Sequence, residues 1–196
     1  MSEKALYRFC VGAMVFAGAL AWPAAAATQT VTGQARAVQA STIFGTTTLA
    51  DTGTLSDDPR DATLPIGSVS SLLSGEALRA VTVGWSDQVV SEASLANLTM
   101  VVGGTGISAG VVLSRVLAAA DAPAAASSTV GDLAINGVPV DVTGSPNQWI
   151  SIPGGQLVIN EQIVSPSGTI VNALHATVLG VADVVIASAT AGFSSF

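Results

Sequence analysis

The chain has 196 residues, nearly half of them apolar, a length that suits one domain after a short leader. Only 5% of the residues are aromatic and 10% are charged, so the core must be built from small and β-branched side chains, which favours strands over helices. From residue 28 onward twelve acidic residues face four arginines, and this net charge of −8 argues against binding to nucleic acid or anionic membranes, which need clustered positive charge.

Residues 1–27 have the pattern of a cleavable signal peptide. Lys4 and Arg8 precede an apolar run over residues 9–22, which is shorter than the roughly 20 residues that a membrane-spanning helix needs. A row of alanines then ends at Ala27, where we expect cleavage and export; an uncleaved N-terminal anchor is the alternative. Cys10, the only cysteine, lies in this leader, so residues 28–196 contain no disulfide, thiolate metal site or cysteine nucleophile.

Residues 28–196 are predicted to form a single all-β domain. Short runs rich in Val, Ile and Thr alternate with Gly, Pro, Asp and Ser, which indicates an antiparallel β-sandwich, with a short β-solenoid or a barrel as the alternative. Residues 50–68 are predicted to be a long polar loop. Residues 68–83 and 111–126 fit either a helix or a strand, because their apolar spacing satisfies both periods. "NLTMVVGGTGISA" and "DLAINGVPVDV" are predicted to be related hairpins.

Two loop motifs were weighed as ligand sites. Asp57, Asp58 and Asp61, with Asp51 nearby, could gather around Ca²⁺, although a solvated loop is preferred because the EF-hand spacing is missing. "GGTGISAG", residues 103–110, lacks the spacing of a dinucleotide-binding loop and is predicted to be a turn between strands. We therefore expect no metal ion and no cofactor.

The segment "VINEQIVSPSGTIVNALHATV", residues 158–178, is predicted to be a β-hairpin. "SPSG", residues 165–168, is turn chemistry, and its register places Ile163 opposite Ile170 and Ile159 opposite Leu174. Glu161 then lies opposite Asn172 on an otherwise apolar face. Since a lone carboxylate on such a face costs several kcal/mol, an amide partner is what a structural role requires.

The only histidine, His175, is predicted to project from the other face of this hairpin, together with Asn160 and Gln162. A His–Glu dyad needs both side chains on one face within hydrogen-bond reach, so strict alternation argues against catalysis here, unless a one-residue bulge changes the register. Asn160, Glu161, Gln162, Asn172 and His175 are therefore interpreted as structural polar pairing, and no catalytic residue is assigned.

Trp85 and Trp149 are the indoles of the domain, and we expect both to be core residues. Trp149 is the better ligand candidate of the two, together with Asn147, because loop-forming residues surround it in "GSPNQWISIPGG". A carbohydrate-binding surface using these residues is one alternative function.

Three stretches resemble the bacterial secreted proteins called the choice-of-anchor P family. They are "SEASLANLTMVVGGTGISA", "STVGDLAINGVPVDVTGSPNQWISIPGG" and "LVINEQIVSPSGTIVNALHATVLGVADVVIASATA", which together cover residues 91–191. The resemblance implies an exported surface domain without an established enzymatic activity. We expect an extracellular or cell-surface structural or binding protein whose partner is extracellular matrix, a glycan or another copy of the chain; the alternatives are a carbohydrate-binding module or a hydrolase that uses Glu161 and His175.

Overall fold

The computed structural model describes residues 29–55 and 58–195, in which every regular element is a strand. The predicted signal peptide, residues 1–27, and Asp57 lie outside the described residues. The strands, in chain order, are β1 (Gln29–Thr42), β2 (Gly45–Asp51), β3 (Arg60–Val69), β4 (Leu73–Gly84), β5 (Gln88–Val102), β6 (Thr105–Ala119), β7 (Ala122–Gly131), β8 (Ala134–Ile135), β9 (Val138–Pro139), β10 (Gln148–Ile152), β11 (Gly155–Ser165), β12 (Gly168–Val178) and β13 (Ala182–Ser195).

The strands form two antiparallel sheets packed face to face, which confirms the predicted β-sandwich. One sheet has six strands in the order β10-β11-β12-β13-β1-β2, and the other has seven, in the order β3-β4-β5-β6-β8-β9 with β7 also paired to β6. The chain crosses between the sheets after β2 and after β9. No helix in the described part of the chain is long and apolar enough to cross a membrane.

The structure decides the segments whose secondary structure was ambiguous. Residues 73–84 form β4, and residues 111–126 belong to the β6–β7 hairpin, so neither segment is helical. The predicted long polar loop was wrong for its second half, because β3 occupies residues 60–69 at the edge of its sheet. β3 contains Pro65, which an edge strand tolerates, since one side of its backbone needs no partner.

A row of small residues crosses the six-stranded sheet and is called the crease here. Three of its members, on alternate strands, have left-handed backbone angles: φ is 52° at Asn160, 50° at Ala187 and 46° at Ala50. The pairs on either side keep one register, so no residue is inserted. The remaining members of the crease, which lie between those three across the sheet, are Ala37 on β1 and Ala173 on β12.

Alternation of side chains breaks at the crease. Two consecutive residues point into the core on each of the inner strands, for example Ala173 with Leu174 and Ile186 with Ala187, all fully buried. A strand that alternated strictly would send one of each pair outward. The small methyl groups fit because two adjacent inward residues leave little room. On the far side of the crease, therefore, residues that strict alternation would place in the core point outward, and residues that it would place outside point into the core.

Candidate functional site

Glu161 and His175 meet on the outer face of the six-stranded sheet. His175 Nδ1 lies 2.8 Å from Glu161 Oε2, and His175 Nε2 lies 3.0 Å from Asp183 Oδ2. The imidazole thus joins two carboxylates from the neighbouring strands β11 and β13, and these three residues are called the clamp. Asn172 Nδ2 donates to the same Glu161 oxygen at 2.6 Å, so Glu161 has the amide partner that the sequence predicted.

The predicted separation of Glu161 and His175 onto opposite faces was wrong, although the register behind it is correct. Glu161 pairs with Asn172, and Val158 with His175, as predicted. The crease at Asn160 supplies the reason: it reverses the phase of β11 between Val158 and Glu161, so both point outward. Ile163 shows the same reversal, because it is 47% exposed although strict alternation would have buried it with Ile159.

The clamp holds His175 in its charged form. The hydrogen bond from Glu161 raises the pKa of His175 to about 9, against the opposing effect of burial and with further help from Asp183. The pKa of Glu161 is lowered, first by its hydrogen bond with His175 and then, against burial, by the one with Asn172. About a fifth of the His175 side chain and of the Glu161 side chain is exposed, against 46% of the Asp183 side chain. At neutral pH the clamp is therefore an imidazolium between carboxylates.

This arrangement favours a structural role for His175 over a catalytic one. Thr177 Oγ1 lies 3.3 Å from His175 Nε2, so a hydroxyl, the imidazole and the Glu161 carboxylate follow one another as in a nucleophile–base–acid series. Asp183 occupies the same nitrogen at a shorter distance and is itself 3.3 Å from the Thr177 hydroxyl. With both ring nitrogens donating to carboxylates, the imidazolium has no lone pair with which to take a proton from Thr177.

A second charged group lies beside the clamp on the same outer face. Arg36 Nε donates to Asp51 Oδ2 at 2.8 Å, and Gln34 donates to the other carboxylate oxygen at 3.0 Å. Burial acts to raise the pKa of Asp51, but hydrogen bonds from the Gly53 amide, Gln34 and Arg36 outweigh it and lower that pKa. A groove of about 250 Å³ runs between this pair and Asn172. Its polar lining is of amide, guanidinium and hydroxyl groups.

Asn160 and Gln162, which were grouped with Glu161 in the sequence, belong to a separate cluster. Gln162 Nε2 donates to Asn160 Oδ1 at 3.1 Å and reaches the Ala126 carbonyl of β7 at 3.4 Å, in the opposite sheet. The amide NH of Asn147 donates to the Asn160 carbonyl, and Asn147 Oδ1 accepts from the Gln162 backbone at 2.9 Å. Asn147, a predicted ligand residue, therefore uses its side-chain oxygen to fasten the loop before β10.

Both tryptophans lie at the surface, so their predicted place in the core was wrong. Trp85 is 48% exposed in the β4–β5 turn, and Trp149 is 59% exposed on β10, the edge strand of the six-stranded sheet. Trp149 pairs with Val158, which in turn pairs with His175, so the indole shares the outer face with the clamp. Its Nε1 donates to Gln156 Oε1 at 2.8 Å, which fixes the ring while its apolar surface stays open.

No family model, curated protein or solved structure matches this chain. Its function is therefore argued from its own residues. Within the described residues no group of three or more His, Cys, Asp and Glu side chains is placed to hold a metal ion. Two of the aspartates weighed for calcium lie beside arginines: Asp51 is bound to Arg36, and Asp61 lies 3.9 Å from Arg79.

Sequence reasoning missed the residues that complete the outer face. Asp183 reaches His175 from a position that the hairpin pattern does not connect, because it lies on β13, beyond the hairpin; Thr177, which alternation places on the same face as His175, belongs to the hairpin itself. The Arg36–Asp51 pair joins β1 and β2. Its two residues are equally far from the two-residue turn at Ile43 and Phe44, and this spacing is a sequence signal for the pair. Pairing across that turn would have placed the two opposite each other.

Proposed function

We propose that this chain is an exported, non-catalytic β-sandwich that acts at or beyond the cell surface as a structural and binding protein. The clamp is the observation that carries the proposal: the only histidine is held between two carboxylates, where it stiffens three neighbouring strands and lacks a free nitrogen for proton transfer. The leader pattern of residues 1–27 and the resemblance to the choice-of-anchor P family support export.

Replacing clamp residues tests the absence of catalysis. We expect Glu161→Ala and His175→Ala to lower the midpoint of urea unfolding while the wild-type chain hydrolyses no member of a panel of polysaccharides, esters and peptides. A variant that keeps its stability and loses a measured hydrolytic activity would instead make the hydrolase reading the better one. Export is tested separately by mass spectrometry of the released protein, whose first residue should be Thr28.

Carbohydrate binding is the second candidate, and the exposed, hydrogen-bonded indole of Trp149 favours it. The exposed indole offers a stacking surface for a sugar, and the neighbouring amides and hydroxyls offer hydrogen bonds. Asn147 lies next to this surface, at the end of the loop before β10. We expect Trp149→Ala to abolish any glycan-array signal and to leave the unfolding midpoint unchanged.

Trp85→Ala is the matched control for this experiment, because Trp85 has similar exposure but lies in the β4–β5 turn, outside the six-stranded sheet. Glycan binding that survives Trp149→Ala, or that is lost equally with Trp85→Ala, would contradict a role for Trp149. Silence of the wild-type chain across the array would leave the structural and self-associating role as the better proposal.

A further inference from the structure

One end of the sandwich, called the apolar end here, carries bulky exposed side chains on its hairpin turns. In the six-stranded sheet the turns β1–β2, β10–β11 and β12–β13 lie there, because Thr42 pairs with Ala182 and Gly155 with Val178, and the turns β3–β4 and β5–β6 of the other sheet border the same cleft as β1–β2 and β12–β13. A cleft of about 710 Å³ opens among four of these turns. The exposed apolar side chains within two positions of these five turns are Ile43 (76%), Phe44 (93%), Val101 (49%), Leu179 (89%) and Val181 (49%).

Ionisable residues are scarce at the apolar end and lie mainly towards the other end of the molecule. Asp183 is the only ionisable residue within three positions of any of these five turns, and its carboxylate is bound to His175. Asp58, Asp87 and Asp121 lie in the connections at the other end, where the described chain also begins and finishes, as the pairing of residues 29 and 195 shows. The 14 residues of β1 separate the two ends by roughly 45 Å.

The shape of the apolar end argues against a second copy of the chain as its occupant. Its five exposed apolar side chains lie on or next to three separate hairpin turns, β1–β2, β5–β6 and β12–β13, and not on one flat sheet face. Phe44 and Leu179 are the most exposed of them and lie at the tips of two hairpins, and Phe44 borders the cleft. Protruding tips suit a deformable partner better than a rigid, self-complementary one.

A lipid surface is such a partner, and the charge distribution defines its type. Apolar tips enter the boundary between headgroups and acyl chains, and the serine and threonine hydroxyls of the same turns suit the headgroup level. The net negative charge of the domain and the absence of lysine and arginine near these turns exclude attraction by anionic headgroups. The acidic residues at the other end would remain in water.

We propose that the apolar end docks on an uncharged, zwitterionic lipid surface by inserting the β1–β2 and β12–β13 turns, with Phe44 and Leu179 as the deepest side chains. This interaction goes beyond the proposed structural and binding role, and it uses a part of the molecule remote from Trp149. The occupant differs in chemistry from a glycan, so the two proposals stand or fall by different measurements.

Flotation of the purified chain with phosphatidylcholine vesicles tests the proposal. We expect Phe44→Ser and Leu179→Ser each to lower the partition coefficient about tenfold, because each removes a large apolar side chain from the lipid. Val164→Ser is the matched control, since Val164 is 77% exposed but lies near the β11–β12 turn at the other end; it should change partitioning less than about twofold. Equal loss in all three variants, or no binding of the wild type, overturns the proposal.

A second measurement locates the inserted residue, which matters because a retained leader would itself bind lipid. In Phe44→Trp, vesicles of brominated phosphatidylcholine should quench more fluorescence than in the wild type, and Val164→Trp should add no quenching. Stronger binding to phosphatidylglycerol than to phosphatidylcholine would contradict the uncharged surface. Sedimentation velocity without lipid gives the remaining outcome: a dimer that Phe44→Ser dissociates would make this end an interface between copies and overturn the lipid proposal.

Discussion

The stability of the domain at alkaline pH should report on His175. From residue 29 onward the chain contains no lysine, tyrosine or cysteine, and Lys4, Tyr7 and Cys10 all precede it. From residue 29 onward His175 is the only side chain expected to change charge between pH 6 and pH 10, since ordinary carboxyl and guanidinium groups keep their charge in this range. The α-amino group also titrates there, so the part of the slope in unfolding free energy that His175→Gln abolishes is the part that has the imidazole as its source.

The sign and size of that slope follow from the clamp. The pKa of His175 is raised from 6.5 to about 9 in the folded protein, so the folded state binds the proton more tightly than the unfolded state does. The stabilisation is fully present below pH 6.5 and is lost as the pH rises through 9. A shift of this size corresponds to about 3 kcal/mol, and the limited exposure of both partners, a fifth each, justifies the conversion.

Urea unfolding at pH 6, 8 and 10 measures this loss. We expect the wild-type free energy of unfolding to fall by about 3 kcal/mol across the series and that of His175→Gln to change much less, since the α-amino group is then the group left to titrate in this range. Asp183→Asn is the intermediate control. It keeps the Glu161 carboxylate, so its free energy of unfolding should fall by less than that of the wild type, and the fall should be complete at lower pH. A wild-type stability that does not change between pH 6 and pH 10, or an NMR titration of the single imidazole below pH 7, would refute the clamp.

Three further substitutions test the fold around the clamp by urea unfolding. Ala187→Gly should be neutral or stabilise the domain by up to about 1 kcal/mol, because the φ of 50° at this position favours glycine. Ala173→Gly in the same crease is the control and should destabilise by about 1 kcal/mol. Equal effects of the two substitutions would contradict a strained crease. Gly155→Ala should lower the free energy of unfolding by about 3 kcal/mol or prevent folding, since its Cβ would fall 1.8 Å from the Thr177 carbonyl oxygen. Gly131→Ala is the control, because its Cβ would meet nothing within 3.8 Å, and it should be tolerated. Asn172→Asp should destabilise at pH 7 and recover on acidification, because it puts a second carboxylate against Glu161; a pH-independent loss would count against this reason.

The strand register could be predicted from the sequence because a short turn and a two-residue period leave little freedom. "SPSG" fixed which residues of β11 and β12 face each other, and the pairs Glu161 with Asn172 and Ile159 with Leu174 are those observed. The all-β class followed for a related reason, since runs of Val, Ile and Thr bounded by Gly and Pro have few other ways to satisfy their backbone groups.

The faces of those strands could not be predicted, because the crease is a property of the whole sheet. A left-handed residue inside a strand has a weak sequence signal at Asn160, since asparagine adopts positive φ more readily than most residues. At Ala50 and Ala187 there is no such signal, because alanine is unfavourable there. The surrounding strands impose the conformation, and a hairpin considered by itself does not contain them.

The prediction that Trp85 and Trp149 are core residues failed for a different reason. Burial of a large aromatic residue is a good default, but it depends on whether a second layer lies over that face. Trp149 is on an edge strand and on the outer face of its sheet, where no layer covers it, and Trp85 is in a turn. Neither the strand order nor the crossing between sheets is encoded within a few residues of either tryptophan.

The crease also explains why one hairpin holds an acid, an amide and a histidine in an otherwise apolar stretch. Under strict alternation Glu161 would point into the core with Asn172 as its partner, and His175 would point outward with Asp183 but without Glu161. The crease turns Glu161 outward and lets the clamp join β11, β12 and β13 across the line where their alternation fails. The strained backbone and the ion pair therefore depend on each other: the crease brings the charges together, and the clamp holds three strands in register at the crease. This mutual dependence is what a structural role for His175 predicts, and a catalytic role would not require it.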